Sequence, residues 1–122
     1  MTPTDAEHDA ADGSYGFQVD VRSDGPEVSL ELLGRLDIAA APTFRGCLDE
    51  IDDDVRTVVL DLAMLEFIDS SGVGELVRLR RACEVDYRVL ILRDPQPRVA
   101  YVLELTGLDR LVCTPPGGSE PD

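Results

Sequence analysis

The chain has 122 residues, 43% of them hydrophobic and 30% charged, which is the composition of a single globular domain. Its 25 acidic residues outnumber 11 basic residues, all of them arginine, and the formal net charge is −14. This charge disfavours direct binding to nucleic acid or to a membrane surface, and the absence of lysine excludes side-chain Schiff-base chemistry and a lysine-containing P-loop.

The first 14 residues have the composition of an acidic tail. They contain no arginine, and their acidic residues are Asp5, Glu7, Asp9 and Asp12. His8, the single histidine of the chain, also lies here, so a Ser-His pair or a zinc site with histidine would depend on this tail. We expect residues 1–14 to be disordered. They lack the apolar core of a signal peptide, and no apolar stretch in the chain approaches about 20 residues, so we expect a cytoplasmic protein that does not enter a membrane.

Two alternating segments predict an N-terminal β-hairpin. Apolar and polar residues alternate from Tyr15 to Val21 and again from Val28 to Leu32. This period of two is typical of half-buried strands. Ser23-Asp24-Gly25-Pro26 between them has the composition of a turn, so we expect the strands to pair in an antiparallel hairpin.

The next two segments predict a helix and a central strand. Apolar residues recur at helical spacing between Ala39 and Ile51, and Pro42 fits only the first turn of such a helix. Residues 57–62 are almost continuously apolar, which predicts a strand buried on both faces of a sheet.

A second helix is predicted from about Ser71 to Glu84, after a connector that reaches Phe67. Its inward stripe consists of Val73, Leu76, Leu79 and Cys83. The arginines on this helix, Arg78, Arg80 and Arg81, have the spacing of a solvated face that pairs with Glu75 and Glu84, and do not indicate a nucleic-acid patch.

The remaining segments complete an α/β pattern. Residues 87–93 predict a strand, residues 97–106 predict a helix that Gly107 ends, and residues 111–113 form a short strand or extended segment. The order ββαβαβα predicts an α/β domain with a mostly parallel central sheet, an N-terminal antiparallel hairpin and helices packed on the sheet.

Residues 114–122 predict a second disordered tail, which leaves residues 15–113 as the folded domain. Six of the 25 acidic residues lie in the two tails, so the body holds nineteen acidic residues and eleven arginines, a balance of −8. The three cysteines, at positions 47, 83 and 113, form no C-x-x-C motif. Free thiols in a reducing compartment are therefore expected, with no metal site.

The segment Phe67-Ile68-Asp69-Ser70-Ser71-Gly72-Val73-Gly74 stands where the connector enters the second helix. A helix N-terminus offers unpaired N–H groups and partial positive charge, which suit a capping carboxylate or hydroxyl and also a phosphate. From these residues alone two interpretations stay open: Asp69 or Ser70 simply caps the helix, or the serines form a functional site. With no general base beside them, the hydroxyls suit a phosphate acceptor better than a nucleophilic catalyst.

This segment and the strand Val58-Val59-Leu60-Asp61-Leu62 resemble the signature of STAS domains, and more narrowly that of bacterial anti-sigma factor antagonists. The turn Gly34-Arg35-Leu36-Asp37, the size of the domain and Thr106-Gly107-Leu108 also agree with that family. The resemblance spans residues 15–113 and implies a single STAS-like domain.

The resemblance implies a regulatory binding protein that is not an enzyme and has no cofactor. In the family, the serine that corresponds to Ser70 is phosphorylated by an anti-sigma factor that is itself a serine kinase. The unphosphorylated antagonist binds this kinase and the sigma factor is released; a serine phosphatase reverses the modification. The resemblance places Asp37, Asp69, Ser71 and Gly72 at the partner-binding surface.

Two residues depart from the family pattern: Arg35 replaces the usual acid, and Glu75 replaces an apolar residue. The alternative function is a STAS module that senses a nucleotide or small ligand, or acts as a scaffold in a stress-signalling assembly, because a helix N-terminus accommodates an anion in either case. An enzyme is the weakest hypothesis, since few groups that could perform catalysis are available.

Overall fold

The computed structural model describes residues 16–112. The two predicted tails, together with Tyr15 and Cys113, lie outside the described residues. The described chain forms the following elements, in order: β1 (Phe17–Asp24), β2 (Glu27–Leu36), α1 (Ala41–Asp49), β3 (Thr57–Asp61), β4 (Leu65–Ile68), α2 (Ser70–Val85), β5 (Val89–Arg93), α3 (Pro97–Thr106) and a 3₁₀ turn (Leu108–Leu111).

The strands form one mixed sheet in the order β1-β2-β3-β5. β1 and β2 are the predicted antiparallel hairpin, and Gly25 adopts a φ of 62° in the turn between them. All other pairings are parallel. β2 pairs with β3 through residues 27–31 and with β4 through residues 34–36. The predicted fold class, an α/β domain with a hairpin and a mostly parallel sheet, is confirmed.

The prediction of an irregular connector that reaches Phe67 is wrong in one respect, because part of this segment forms the strand β4. This strand has four residues, and a bulge interrupts its pairing with β2. Its buried residues, Leu65 and Ile68, are three positions apart, so the alternation that reveals a strand is missing from the sequence.

Several predicted boundaries also differ from the structure. α1 is four residues shorter than the predicted segment 39–51, and Pro42 does lie in its first turn. β5 begins only at Val89, because Tyr87 has a left-handed backbone with a φ of 58°. Of the segment predicted at 111–113 as a short strand or extended, Leu111 ends a 3₁₀ turn and Val112 is extended with a single parallel bridge to Leu92, while Cys113 lies outside the described residues.

The hydrophobic core is formed by buried residues of the sheet and of the three helices. Val28, Leu30 and Leu32 of β2 contribute to it by alternation, as expected. In β3, three consecutive residues, Val58, Val59 and Leu60, are buried, which confirms the prediction of a strand buried on both faces. Among residues 16–112, no helix is long and apolar enough to cross a bilayer.

Candidate functional site

The parallel pairing of β2 with β4 brings the two predicted aspartates to one edge of the sheet. Leu36 pairs with Ile68, and the N–H of Asp69 donates to the carbonyl of Leu36 over 3.4 Å. Asp37 and Asp69 therefore follow neighbouring strands at the same level. We call Arg35, Asp37, Ile38, Asp69 and Ser70 the Ser70 edge.

Asp69 is the N-cap of α2. Its backbone is extended, its Oδ1 accepts a hydrogen bond from the N–H of Gly72 over 3.1 Å, and its carbonyl accepts from the N–H of Val73 over 2.9 Å. Ser70 is the first residue of the helix and is exposed. Of the two capping residues that the sequence left open, the structure uses Asp69, and so the hydroxyl of Ser70 is not the cap.

Asp37 holds the turn between β2 and α1. Its Oδ1 accepts from the N–H of Ala40 over 3.2 Å, and its carbonyl accepts from the N–H groups of Ala40 and Ala41. Ile38, the next residue, is 74% exposed. Sequence reasoning did not select Ile38, because only its position beside the paired strand ends reveals that this apolar side chain lies on the Ser70 edge.

The two glycines of the motif have different environments. Gly72 is buried, and a Cβ at this position would meet the carbonyl oxygen of Leu36 and, at 2.7 Å, the side chain of Ile68. Gly74 is exposed, and apart from its chain neighbours and the backbone of its own helix no described atom lies within 4 Å of a Cβ built there. Gly72 thus allows α2 to approach the strands closely, while Ser71 beside it is half-buried.

Arg35 projects from β2 onto Phe67 of β4. Its guanidinium carbon lies 4.2 Å from the centre of the Phe67 ring, and its Nε lies 3.7 Å from Oδ2 of Asp37. The side chain is 54% exposed. The residue that departs from the family pattern is therefore held in place at the Ser70 edge.

Glu75, the second departure, is 4% exposed and is the one buried charged residue within positions 16–112. Its carboxylate accepts three hydrogen bonds of 2.7 to 3.0 Å from Nε and an NH2 group of Arg45 on α1. These bonds and the carboxylate charge raise the pKa of Arg45. The predicted pairing with Arg78 is present at 3.8 Å, but the partner thirty residues earlier left no signal in the sequence.

A groove of about 360 Å³ separates α1 from α2, and its arginines are Arg45, Arg78 and Arg88. The first two contact Glu75. Arg88 donates to the carbonyls of Val55 and Asp52 over 3.0 and 2.8 Å. A phosphate-bearing ligand would have to displace these acceptors, so the groove gives no support to a nucleotide sensor. No group of three metal-ligating side chains occurs in the described part of the chain.

Comparisons with known proteins agree with this geometry. A model of the STAS domain family matches residues 18–118. The anti-sigma F factor antagonist of Lysinibacillus sphaericus is 32% identical over 83 residues, which cover 66% of this chain and 71% of that protein.

Two solved structures extend the similarity. The anti-sigma factor antagonist SpoIIAA in its unphosphorylated form has a TM-score of 0.68 and 28% identity, and the match covers 81% of this chain and 87% of that chain. The phosphorylated form of the Bacillus cell fate determinant SpoIIAA has a TM-score of 0.65 and 28% identity, with 81% and 90% covered.

Proposed function

The chain belongs to the STAS domain family, and from this premise we propose that it is an anti-sigma factor antagonist switched by phosphorylation of Ser70. In its unphosphorylated form it binds a serine-kinase anti-sigma factor, so that a sigma factor is released. Phosphorylation ends this binding, and a serine phosphatase restores it. The protein performs no catalysis itself.

The observation that carries this proposal is the position of Ser70. It is exposed and begins α2, while Asp69 performs the capping that would otherwise occupy the serine hydroxyl. A kinase active site can reach a side chain at this position without unfolding the helix. The similarity to SpoIIAA, which has been solved in phosphorylated and unphosphorylated forms, supports the same assignment.

A phosphate on Ser70 would alter the charge of the Ser70 edge more than its fold. The group adds a charge of about −1.5 to −2 at pH 7, which the partial positive charge of a helix N-terminus stabilises. The same charge would lie beside the carboxylate of Asp69, and Asp37 follows the adjacent strand. We therefore expect α2 to remain intact, and we expect bulk and repulsion to act on the docked partner.

The proposed partner surface is the Ser70 edge. The exposed side chain of Ile38 supplies an apolar contact beside Ser70, and Asp37 and Asp69 supply acceptors whose positions are fixed by backbone hydrogen bonds. Gly72 is buried beneath this surface, so its contribution would be to hold α2 against β2 and β4.

The test uses the serine-kinase anti-sigma factor whose gene lies nearest to the gene of this protein. We expect ATP and that kinase to add one phosphate to the wild type, as measured by intact mass, and none to Ser70→Ala. Ser71→Ala is the matched control and should still be modified. A phosphate that persists in Ser70→Ala, or a wild type that is never modified, would refute the assignment.

Binding measurements test the switch separately from the modification. Ser70→Ala should bind the kinase in the presence of ATP as well as in its absence, and Ser70→Asp should bind weakly. A loss of about 4 kcal/mol of binding free energy, equivalent to about a thousandfold in Kd, would make the switch effective. Equal affinities of the two variants would contradict the electrostatic account.

A further inference from the structure

We propose that Arg35 is a specificity residue of the Ser70 edge, and that the protein partner presents an aspartate or glutamate carboxylate to its guanidinium group. This inference rests on the proposed function, because it identifies the chemistry of the partner at the same surface. It assigns a role to a residue that no feature of the phosphorylation switch requires.

A β-bulge in β4 brings Arg35 and Phe67 opposite each other. Pairing between β2 and β4 shifts register between Gly34 and Arg35, so that Gly34 is opposite Leu65 and Arg35 is opposite Phe67. Gly34 has a φ of 96°, and a Cβ there would collide with the carbonyl of Gly16. The N–H of Arg35 donates to that carbonyl over 2.9 Å. The extra residue is Glu66 of β4, so the bulge brings Phe67 opposite Arg35.

Two contacts then restrict the side chain before any partner arrives. The guanidinium carbon lies 4.2 Å from the centre of the Phe67 ring, and Nε lies 3.7 Å from Oδ2 of Asp37. A planar guanidinium stacked on an aromatic ring has lost much of the rotamer freedom that binding would otherwise remove. Arginine, unlike lysine, can stack in this way and still donate hydrogen bonds from its edges.

No described residue occupies the remaining donors of Arg35, so an anion of a partner can reach them. Within residues 16–112, the side chain has no hydrogen-bond acceptor, and it is 54% exposed. The neighbouring carboxylates of Asp37 and Asp69 each use Oδ1 to accept from a backbone N–H. A partner carboxylate matches the fork of guanidinium N–H groups and would form a charge-assisted pair in the interface.

The stacking and the charge can be tested separately on the full chain, with the kinase anti-sigma factor as the binding partner. We expect Arg35→Glu to weaken binding about tenfold or more, because it places like charges together, and to reduce the association rate and its salt dependence. Arg35→Lys keeps the charge but loses the stacked fork, so its affinity should lie between those of the wild type and Arg35→Glu. Reversing one acidic residue of the partner to arginine should restore binding of Arg35→Glu.

The control is Arg81→Glu, which makes the same charge change at an exposed position about 16 Å along α2 from Ser70. It should bind almost as the wild type does. The inference is overturned if Arg35→Glu also binds as the wild type does, or if no acidic residue of the partner rescues it. Failure of the wild type to bind at all would instead refute the proposed function, so the two failures are distinguishable. Circular dichroism of each variant confirms that the fold is retained.

Discussion

Asp69 and Ser70 are adjacent residues with different structural roles, and their positions at the start of α2 determine these roles. The N-cap residue has a non-helical backbone and turns its side chain back to the free N–H groups, whereas the first helical residue projects outward. Asp69 has an extended backbone and its side chain accepts a hydrogen bond from the N–H of Gly72, whereas Ser70 is exposed to solvent. The aspartate therefore leaves the neighbouring hydroxyl out of the capping bond, which the proposed phosphorylation of Ser70 requires.

Burial governs the chemistry of the two cysteines that the structure describes. Cys83 is buried on α2, and burial is the main cause that raises the pKa of its thiol; Asp86 and Glu84 add to the effect and Arg88 opposes it. Burial, followed by the charge of Glu50, also raises the pKa of Cys47. At any given pH both thiols are therefore less ionised than the thiol of an unperturbed cysteine.

We predict that iodoacetamide will alkylate Cys83 slowly in the folded protein, and that the rate will rise at a higher pH than in the urea-unfolded chain. The pKa of the Cys83 thiol is higher in the folded chain than in the unfolded chain. Its contribution to the free energy of unfolding is therefore present below the unfolded pKa and is lost as the pH rises through the folded pKa. Peptide mass spectrometry resolves the cysteines individually. Equal alkylation rates of Cys83 in the folded and unfolded chain at pH 8 would contradict the prediction.

At the scale of elements, the junction between α2 and the strands depends on the absence of one side chain. Gly72 lies against the carbonyl of Leu36 and the side chain of Ile68, whereas Gly74, two residues later, faces open space. The first glycine sets the distance between helix and sheet. The second lowers helix stability, because glycine loses more backbone entropy in a helix than alanine does.

Alanine at these two positions should therefore have opposite effects. We expect Gly72→Ala to lower the free energy of unfolding by about 1–3 kcal/mol, because the added methyl group forces α2 away from β2. Gly74→Ala should raise it by about 0.5–1 kcal/mol. Urea denaturation followed by circular dichroism measures both, and each variant serves as the control for the other. A stabilising effect of Gly72→Ala would show that the helix does not pack on Leu36 as described.

At the scale of the whole molecule, the Arg45–Glu75 pair joins two helices that are far apart in the sequence. The carboxylate of Glu75 is buried, while the side chain of Arg45 is about half exposed. Removing one partner of such a pair leaves a buried charge uncompensated, whereas replacing both with apolar groups removes the cost of desolvation. We therefore expect the pair to fix how α1 and α2 are placed more than to add net stability.

We predict that Arg45→Met will destabilise the protein, and that the double variant Arg45→Met with Glu75→Leu will regain stability. Arg78 lies 3.8 Å from Glu75 but is mostly exposed, so Arg78→Met should cost at most about 1 kcal/mol. Thermal unfolding of the three variants shows whether Arg45→Met is the least stable of them. A double variant less stable than Arg45→Met would show that the ion pair itself supplies net stabilisation.

Local patterns in the sequence determined most of the elements. The alternation from Tyr15 to Val21 and from Val28 to Leu32 predicts the hairpin, and the apolar run at 57–62 predicts the central strand. The signals at Pro42 and Gly107 lie where α1 begins and α3 ends. Each of these signals depends on residues that are close in the chain. β4 escaped detection because it is short and bulged, and its partner, the end of β2, is about thirty residues away.

The net charge of −14 was sufficient to disfavour nucleic acid as a partner, and the Asp-Ser-Ser-Gly segment carried the resemblance that implied a regulatory binding protein. Only the tertiary structure decided that the guanidinium of Arg35 lies over the Phe67 ring and that Glu75 is buried against Arg45. The physical reason is distance along the chain. Helix periods and turns are local, whereas the contacts of Arg35 and Glu75 form between residues about thirty positions apart, which only the packing of the sheet and helices brings together.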